Sequence, residues 1–439
     1  MRISALCLAL VLTAAALPDS GRAADIAVTK RARNDVREGP GSYYPLLLVL
    51  PAGRHVETLG EPGPWIQVRV PSGEKQGDGP KVVTGWMSRN CFTPKEGSTQ
   101  GILEEIRLPV GSVEASPAYV AAAVRGFALR YLKATEDSLS TLDAIEGPFF
   151  GPEEYLAFVQ ETIRSAGPLT TPSPPSGEAQ RFFQPYAPSL GEEAVGAALA
   201  VRVIQRGLAQ DRGQMAYVNL VGSFLAEQAG SYDFPFRVVL LRGSDLYAMA
   251  VPGGILFLTQ GMLLLCQDES ELAAVIAHEM MHVLAGHGLE EIRQRSFHVR
   301  TDLAQWELEK EMGPLPEADP TLNEIESIAI DAYEAIEKPR LQAYEVEADR
   351  GALLLLARAG YDPSGLVRMV SKIRDAIASG RYPARDNPFL QMDFSDRAER
   401  AAEFIRLNLP AARGARHQDR FRSRITAPPV SKPPAANNR

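Results

Sequence analysis

The residues of this 439-residue chain that are best suited to chemistry stand together as His278-Glu279-Met280-Met281-His282. Histidines four residues apart project from the same face of a helix, so their imidazoles can share one metal ion. The glutamate between them is placed to hold and deprotonate a metal-bound water. The spacing therefore indicates a metal site that performs hydrolysis.

The sequence around this motif predicts the helix that it needs. Apolar residues repeat with a helical period, at Leu272, Val275, Ile276, Val283 and Leu284. Asp268 and Glu271 have the spacing of a capping box at the start, and Gly288 can end the helix. The alternative is a helix with two ordinary polar histidines. Three of the six histidines fall within residues 278–287, which favours the metal site.

A third ligand is expected downstream, at the start of a second helix that runs to Gly360. Glu345 and Asp349 are four apart and share a face of that helix. We interpret Glu345 as a metal ligand and Asp349 as the acceptor that fixes the tautomer of a ligand histidine. Glu347 points elsewhere and is interpreted as a solvated charge. The alternative for Glu345 and Asp349 is a pair of exposed carboxylates.

Three sequence blocks together resemble one known family. The blocks are residues 246–262, residues 268–287, and residues 345–349 followed by 359–363. In order and spacing they are similar to the gluzincin metallopeptidases of the CAAX-prenyl-protease and HtpX type, including the soluble periplasmic BepA-like and LoiP-like branch. The resemblance covers about residues 190–410.

The resemblance implies roles for particular residues. His278, His282 and Glu345 would be the ligands of one Zn²⁺ per chain, and Glu279 would be the general base. Asp349 matches the aspartate that supports the catalytic site in this family. His287 matches a family position that is not a ligand, so packing is its expected role.

The chain departs from the family pattern at two places. Tyr247 stands where many members have asparagine. Asn387-Pro388 stands where many have His-Pro, a histidine that in the periplasmic branch can cap the zinc. Arg397 is the nearest arginine downstream, and it either steadies the oxyanion of the tetrahedral intermediate or is a surface residue.

The amino-terminal residues predict export. Residues 1–24 combine one positive charge, a short apolar run and small residues near Ala23, as in a secretory signal peptide. A retained anchor is the alternative. The run is short for a membrane span, and no later run reaches the length needed. We expect a periplasmic protein.

Residues 25–98 have the alternating pattern of short strands, with Gly and Pro turns between them. Their motifs around Trp65 and Trp86 resemble a bacterial SH3-type barrel, apart from a polar insertion at 71–81. Such a domain would bind a cell-wall or peptide ligand. The alternative is a rigid spacer with both tryptophans in its core.

The remaining pattern predicts an α+β fold, in which a small all-β SH3-like barrel precedes a mainly helical zincin-like metalloprotease domain with a small sheet. Residues 99–189 read as helices at 117–138 and 153–165 and a Pro-rich linker at 168–188. The peptidase domain, 190–410, opens with a helix at 192–206. Strands at 236–241 and 247–251 follow, and one exposed strand is expected to hold an extended substrate.

The charge distribution limits the classes of partner, and the cysteine content limits the possible disulfides. The net charge of -8 argues against nucleic acid. The stretch 411–439 is basic and Pro-rich, which predicts a disordered tail. Peripheral contact of this tail with anionic lipid is a further hypothesis. Cys91 and Cys266 are interpreted as two buried thiols, with a disulfide as the alternative.

The function predicted from these observations is a zinc metalloendopeptidase that cleaves unfolded or misassembled envelope proteins, with extended polypeptides as substrates. Two alternatives remain at this point. One is a non-catalytic zinc-binding envelope chaperone, and the other is a murein peptidase located by its barrel domain.

Overall fold

The computed structural model describes residues 25–31, 33–59, 63–76, 79–92, 141–142, 145, 147–166, 182–188, 190–288, 290–291, 341–380, 382, 393–410 and 412–425. The predicted signal peptide, the predicted helix at 117–138 and Asn387 lie outside these ranges. Within them the fold is mixed α/β, with an amino-terminal antiparallel sheet followed by a mainly helical domain. None of the helices described is both long and apolar enough to cross a membrane.

The amino-terminal sheet has six strands, all antiparallel to their neighbours, in the order β1-β4-β5-β6-β2-β3. The strands are β1 Asp25–Val28, β2 Asn34–Arg37, β3 Leu46–Leu50, β4 His55–Leu59, β5 Trp65–Gln76 and β6 Gly79–Ser88. Their inward residues form a small core of their own, which includes Val36, Val56, Val68 and Met87. The stretch predicted as a polar insertion is the end of the β5–β6 hairpin, because the pairing continues to Gln76 and Gly79.

Nine α-helices and a three-stranded sheet are described in the rest of the chain. The helices are α1 Pro152–Ala166, α2 Leu190–Ile204, α3 Arg212–Gln228, α4 Gln260–Leu265, α5 Glu269–Leu284, α6 Gln342–Arg358, α7 Ser364–Ala378, α8 Phe394–Asn408 and α9 Gln418–Arg424. The sheet is ordered β7-β9-β8, from Arg237–Leu241, Ile255–Thr259 and Ala248–Val251. β8 is an edge strand of this sheet, and all four of its residues are buried. The helices and strands predicted in these segments are confirmed.

Helix α5 begins as its sequence predicts and ends earlier. The Asp268 carboxylate accepts the backbone N–H of Glu271 at 3.0 Å, and Glu271 accepts that of Gln267 at 2.7 Å, so the capping interaction is reciprocal. The helix stops at Leu284, and Gly286 takes a positive φ of 73°. Gly286 is therefore the glycine that ends the helix, rather than Gly288.

Helices α5 and α6 pack against each other, with Met281 of α5 next to Gly351 of α6. A Cβ added to Gly351 of α6 would lie 2.7 Å from the Met281 sulfur of α5. Glycine at this position therefore permits the close approach of the two helices. The approach brings the first turns of α6 to the histidines of α5.

The predicted boundary at residue 190 is wrong, because part of the linker region belongs to the core of the helical domain. Tyr155 and Phe158 of α1 are almost fully buried in that core. Phe182, within the predicted Pro-rich linker, is fully buried. The Tyr186 hydroxyl accepts the Gly253 backbone N–H at 3.1 Å and donates to Glu192. Apolar side chains fixed these segments to the domain despite their prolines.

The predicted disordered tail is also wrong for residues 412–425. This carboxy-terminal segment pairs with the chain after α6 through Tyr361 and Ala415, and then forms α9. The Arg416 carbonyl accepts backbone N–H groups from Glu269 and Ser270 at 3.0 and 3.3 Å, which are at the start of α5. The segment therefore helps to cap the helix that carries both histidines.

Buried ionic contacts reinforce this docking. Glu269 is fully buried, and it accepts from the Tyr361 hydroxyl at 2.7 Å, from the Tyr217 hydroxyl, and from Arg420 Nε at 2.7 Å. The Arg420 guanidinium also lies 4.4 Å from the centre of the Phe158 ring. Arg420, one of the basic residues of the predicted tail, is thus held in an internal ion pair.

Both cysteines left after the predicted signal peptide are free and buried, as predicted. Burial raises the pKa of the Cys91 thiol to about 12, and burial likewise raises that of Cys266. Both therefore remain protonated thiols at neutral pH.

We expect Arg420→Met to lower the free energy of unfolding by about 3 kcal/mol, because it leaves the Glu269 charge buried without its cation. Urea unfolding measures the effect. Adding Glu269→Gln to that variant should recover part of the loss, since the neutral amide still accepts from the tyrosines. Arg422→Met, on the exposed side of α9, is the control and should unfold like wild type. An equal change in the Arg420 and Arg422 variants would contradict the ion-pair account.

Candidate metal centre

Three buried side chains converge between α5 and α6. His278 Nε2 lies 3.1 Å from His282 Nε2 and 3.2 Å from Glu345 Oε2, and His282 Nε2 lies 3.3 Å from Glu345 Oε1. Each of the three residues is no more than 4% exposed. Among the residues that the structure describes, they form the group whose donor atoms could hold a metal ion.

The spacing of these atoms fits zinc. Two ligand atoms that each lie about 2.0 Å from a zinc ion, at tetrahedral angles, are about 3.3 Å apart. The two imidazole nitrogens lie 3.1 Å apart, close to this value, and each has a different oxygen of Glu345 at 3.2 or 3.3 Å. Two imidazoles and one carboxylate are also a donor set that zinc uses in catalytic sites, where a fourth position stays open.

Helical geometry explains how these side chains meet. His278 and His282 are one turn apart on α5, so their rings share a face. Glu345 lies in the first turn of α6, opposite that face. Glu279 follows His278 on α5 and is 2% exposed, so the carboxyl group proposed as base is held away from bulk solvent.

Asp349 and Arg397 support the His278 side of the centre. Asp349 Oδ1 lies 2.9 Å from His278 Nδ1, and Arg397 donates to both Asp349 oxygens, at 2.6 and 2.8 Å. Because Asp349 accepts the Nδ1–H, the Nε2 lone pair of His278 faces the other ligands. The structure thus places Asp349 where the sequence analysis predicted it.

Arg397 lies at the metal centre, and its predicted role at the oxyanion stays a prediction. It is only 8% exposed, so the surface interpretation is wrong. Besides Asp349 it contacts Glu345, with Nη1 3.2 Å from Oε2. Its charge is therefore shared between two buried carboxylates, and it balances the centre electrostatically. The sequence signal for this was weak, because Arg397 lies 48 residues beyond Asp349.

His287 and Glu347 support the His282 side of the centre, a role that was not predicted from the sequence. His287 Nδ1 lies 3.0 Å from His282 Nδ1, and His287 Nε2 lies 3.3 Å from Glu347 Oε2. The His287 ring also stacks on Tyr344, 4.5 Å between ring centres. The interpretation of Glu347 as a solvated charge is wrong. The turn at Gly286 folds His287 back against the helix, and helical spacing could not reveal that.

The hydrogen bonds on this side have one consistent direction. A Glu347 carboxylate accepts the Nε2–H of His287, which leaves His287 Nδ1 as an acceptor. His282 then donates its Nδ1–H to His287 and presents its Nε2 lone pair to the metal position. Both ligand histidines are thus oriented by a carboxylate, directly at His278 and through a second imidazole at His282.

The charges of the centre shift the pKa values of its members. Burial lowers the pKa of His278, as does the Arg397 charge, but Glu345 and Asp349 outweigh both and raise it to about 9. Burial raises the pKa of the two carboxyl groups, yet Arg397 and the histidines hold both below their ordinary values. The metal-free centre therefore carries ionised carboxylates beside a protonated His278 at neutral pH.

Zinc affinity should fall on acidification. Zinc binds neutral His278, whereas the metal-free protein keeps a proton on it below pH 9. Each pH unit below that value should weaken zinc binding about tenfold through this group. Chelator competition across the neutral range measures the slope, and calorimetry in buffers of different ionisation heat measures the proton released. An affinity independent of pH would contradict the raised pKa.

His287→Leu should weaken zinc binding about tenfold, because His282 loses the partner of its Nδ1–H. Glu347→Leu should weaken it as well, but it should add nothing in a His287→Leu background, since Glu347 acts through His287. Glu347→Gln should retain affinity, because the amide oxygen still accepts from His287. Chelator competition measures the zinc affinity of the three single variants and the double variant, with the exposed Glu403→Leu as control. Fully additive effects would show that the two residues act separately.

Of the two residues that depart from the family pattern, the structure describes Tyr247. Tyr247 precedes β8, where its hydroxyl meets the Met249 sulfur at 2.9 Å and Arg206 lies over its ring. It is not among the residues gathered at the metal centre. Asn387 lies outside the described residues, so its predicted place near the open position stays a prediction.

Residues 213–406 match Peptidase family M48. The match runs from α3 into α8 and so contains β8, the two histidines, Glu345 and Arg397. This part of the chain is therefore similar in sequence to the M48 peptidases.

Similar proteins come from bacteria and from mitochondria. The beta-barrel assembly-enhancing protease of Escherichia coli K12 is 28% identical over 173 residues, which are 38% of this chain and 34% of that protein. A Vibrio cholerae relative that bears the same name provisionally is 29% identical over 209 residues, 44% of this chain and 40% of its own. The mitochondrial metalloendopeptidase OMA1 of Schizosaccharomyces pombe is 36% identical over 76 residues, 17% of this chain and 23% of that one. The chain thus spans well under half the length of these relatives.

Proposed function

We propose that this protein is a zinc-dependent metalloendopeptidase that cleaves unfolded or misassembled proteins of the bacterial envelope. The observation that carries the proposal is the buried triangle of His278, His282 and Glu345, with Glu279 beside it. The similarity to the M48 peptidases and the protease names of the relatives support the same activity.

The residues of the site have separate roles in peptide hydrolysis. Zinc, when bound by the triangle, would polarise the peptide carbonyl and lower the pKa of its water to about 7. Glu279 takes the proton of the attacking water and passes it to the leaving amine. Asp349 and His287 hold the ligand imidazoles in one tautomer and orientation. Arg397 keeps Glu345 and Asp349 ionised.

An extended polypeptide is the substrate that the sheet suits best. β8 is an edge strand next to α5, so a substrate strand can add to the sheet there and present its backbone to the metal centre. Such pairing requires a chain that is locally unfolded. The names of the bacterial relatives, which concern beta-barrel assembly, support an envelope setting for that substrate.

We extend the proposal to the cellular location of the protein and to the ligand of its amino-terminal domain. The apolar amino-terminal run supports export to the periplasm. The six-stranded sheet, with its own core, supports an SH3-type domain that contacts a cell-wall or peptide ligand. Digestion of purified sacculi would favour the murein peptidase instead. Zinc binding without hydrolysis of any polypeptide would favour the chaperone.

Glu279→Gln should bind zinc as wild type does and lose about 10³-fold or more in the cleavage of unfolded casein, because the amide cannot accept the proton. Zinc stoichiometry and a gel or fluorescence assay measure the two properties. Glu399→Gln, exposed on α8, is the matched control. Full activity in the Glu279 variant would refute the mechanism.

A further inference from the structure

The six-stranded domain is docked on the peptidase domain by specific polar contacts. Asp233, which precedes β7, accepts from Arg31 at 2.7 Å and from Asn90 at 3.2 Å. The Trp65 ring meets the Tyr232 ring edge-on, with 6.0 Å between their centres. The Asp233 side chain is 1% exposed, so this ion pair is an internal one. The two domains therefore form a defined interface.

A cleft opens along this interface. Its walls come from both domains and are rich in aromatic and proline side chains: Trp65, Tyr186, Phe234, Pro188, Pro235 and Pro252. Its charged residues balance, because three arginines (Arg31, Arg33 and Arg237) and three acids (Asp35, Glu193 and Asp233) line it. Arg31 pairs with Asp233, and Arg33 pairs with Asp35 and Glu193. Such a cleft favours a neutral ligand with apolar or aromatic groups over a free anion or cation.

The interdomain cleft adjoins the metal centre. A smaller cleft between β8 and the end of α5 is lined by Ala250, Val251, Pro252 and His282. Pro252 forms part of the wall of both clefts. The two clefts therefore meet at Pro252, the residue that follows β8.

One polar atom in the interdomain cleft has an unfilled bonding capacity. Among the described residues, Asp233 Oδ1 is buried and has no hydrogen-bond partner, whereas Oδ2 is occupied by Arg31 and Asn90. A buried carboxylate oxygen without a donor is costly. An N–H group of a polypeptide backbone would satisfy it.

We propose that the interdomain cleft binds the amino-terminal part of the polypeptide substrate, beyond the residues that pair with β8. A substrate antiparallel to β8 runs from the Pro252 end toward Ala248, so its earlier residues fall in the cleft. Apolar side chains of that part pack on the aromatic walls, and a backbone N–H donates to Asp233. This inference rests on the proposed endopeptidase function and assigns the amino-terminal domain a share in substrate selection.

The test uses two peptides with one scissile bond, first mapped in casein. One has about three residues before that bond and ends on β8, and the other has about ten and extends some 20 Å further. Ala197→Trp and Ala187→Trp place a bulky ring in the cleft from two different segments. Ala402→Trp, exposed on α8, is the matched control.

Binding is measured by fluorescence anisotropy in the full-length Glu279→Gln background, and KM and kcat are measured with Glu279 present. We expect both cleft variants to bind the long peptide about tenfold more weakly and to raise its KM with little change in kcat. The short peptide should be unaffected, as should both peptides with the control.

Two results would overturn the proposal. Unchanged binding of the long peptide in both cleft variants would show that the cleft is not used, and equal weakening of both peptides would place the effect at the metal centre. Anisotropy does not depend on hydrolysis. If the protein binds the long peptide through the cleft but cleaves nothing, the proposed function fails while the cleft assignment stands.

Discussion

Burial of ionised groups between α5 and α6 is the constraint on which the rest of the structure depends. Two imidazoles and two carboxylates are enclosed there, and each would be unstable in the interior by itself. Arg397 stabilises these buried charges, because it reaches from α8 to the carboxylates of both Glu345 and Asp349. Helix α8 is thus held by these ion pairs as well as by its apolar residues in the core. Gly351 leaves room for the Met281 side chain of α5, which a larger residue would have to displace.

The same principle recurs at the other end of α5. Glu269 is enclosed by two tyrosines and Arg420, from three separate segments of the chain. The helix that carries the ligand histidines is therefore fixed at both ends by buried polar contacts. Rigid placement matters for a metal site, because small displacements of its ligands change the coordination geometry. The fold itself holds the donor atoms in place.

Local patterns predicted much of this. The i, i+4 spacing of His278 and His282, the capping pair at Asp268, and the strand alternation before residue 90 all describe short-range geometry that helical and strand periods determine. The support from His287 and Arg397 could not be predicted in this way. It depends on a turn at Gly286 and on a contact between α8 and α6, which only the tertiary fold creates. The basic composition after residue 411 was misleading for a related reason, because its arginines find their acids elsewhere in the chain.

Docking of α9 on the start of α5 has a consequence for the order of assembly. The carbonyl of Arg416 and the guanidinium of Arg420 complete the amino-terminal end of the ligand helix, more than 140 residues before them in the chain. A chain that lacks these residues leaves Glu269 buried without a cation, or leaves the start of α5 without its cap. Assembly of the metal centre thus waits on the carboxy-terminal segment, and a chain without that segment lacks a fixed helix for its two ligand histidines.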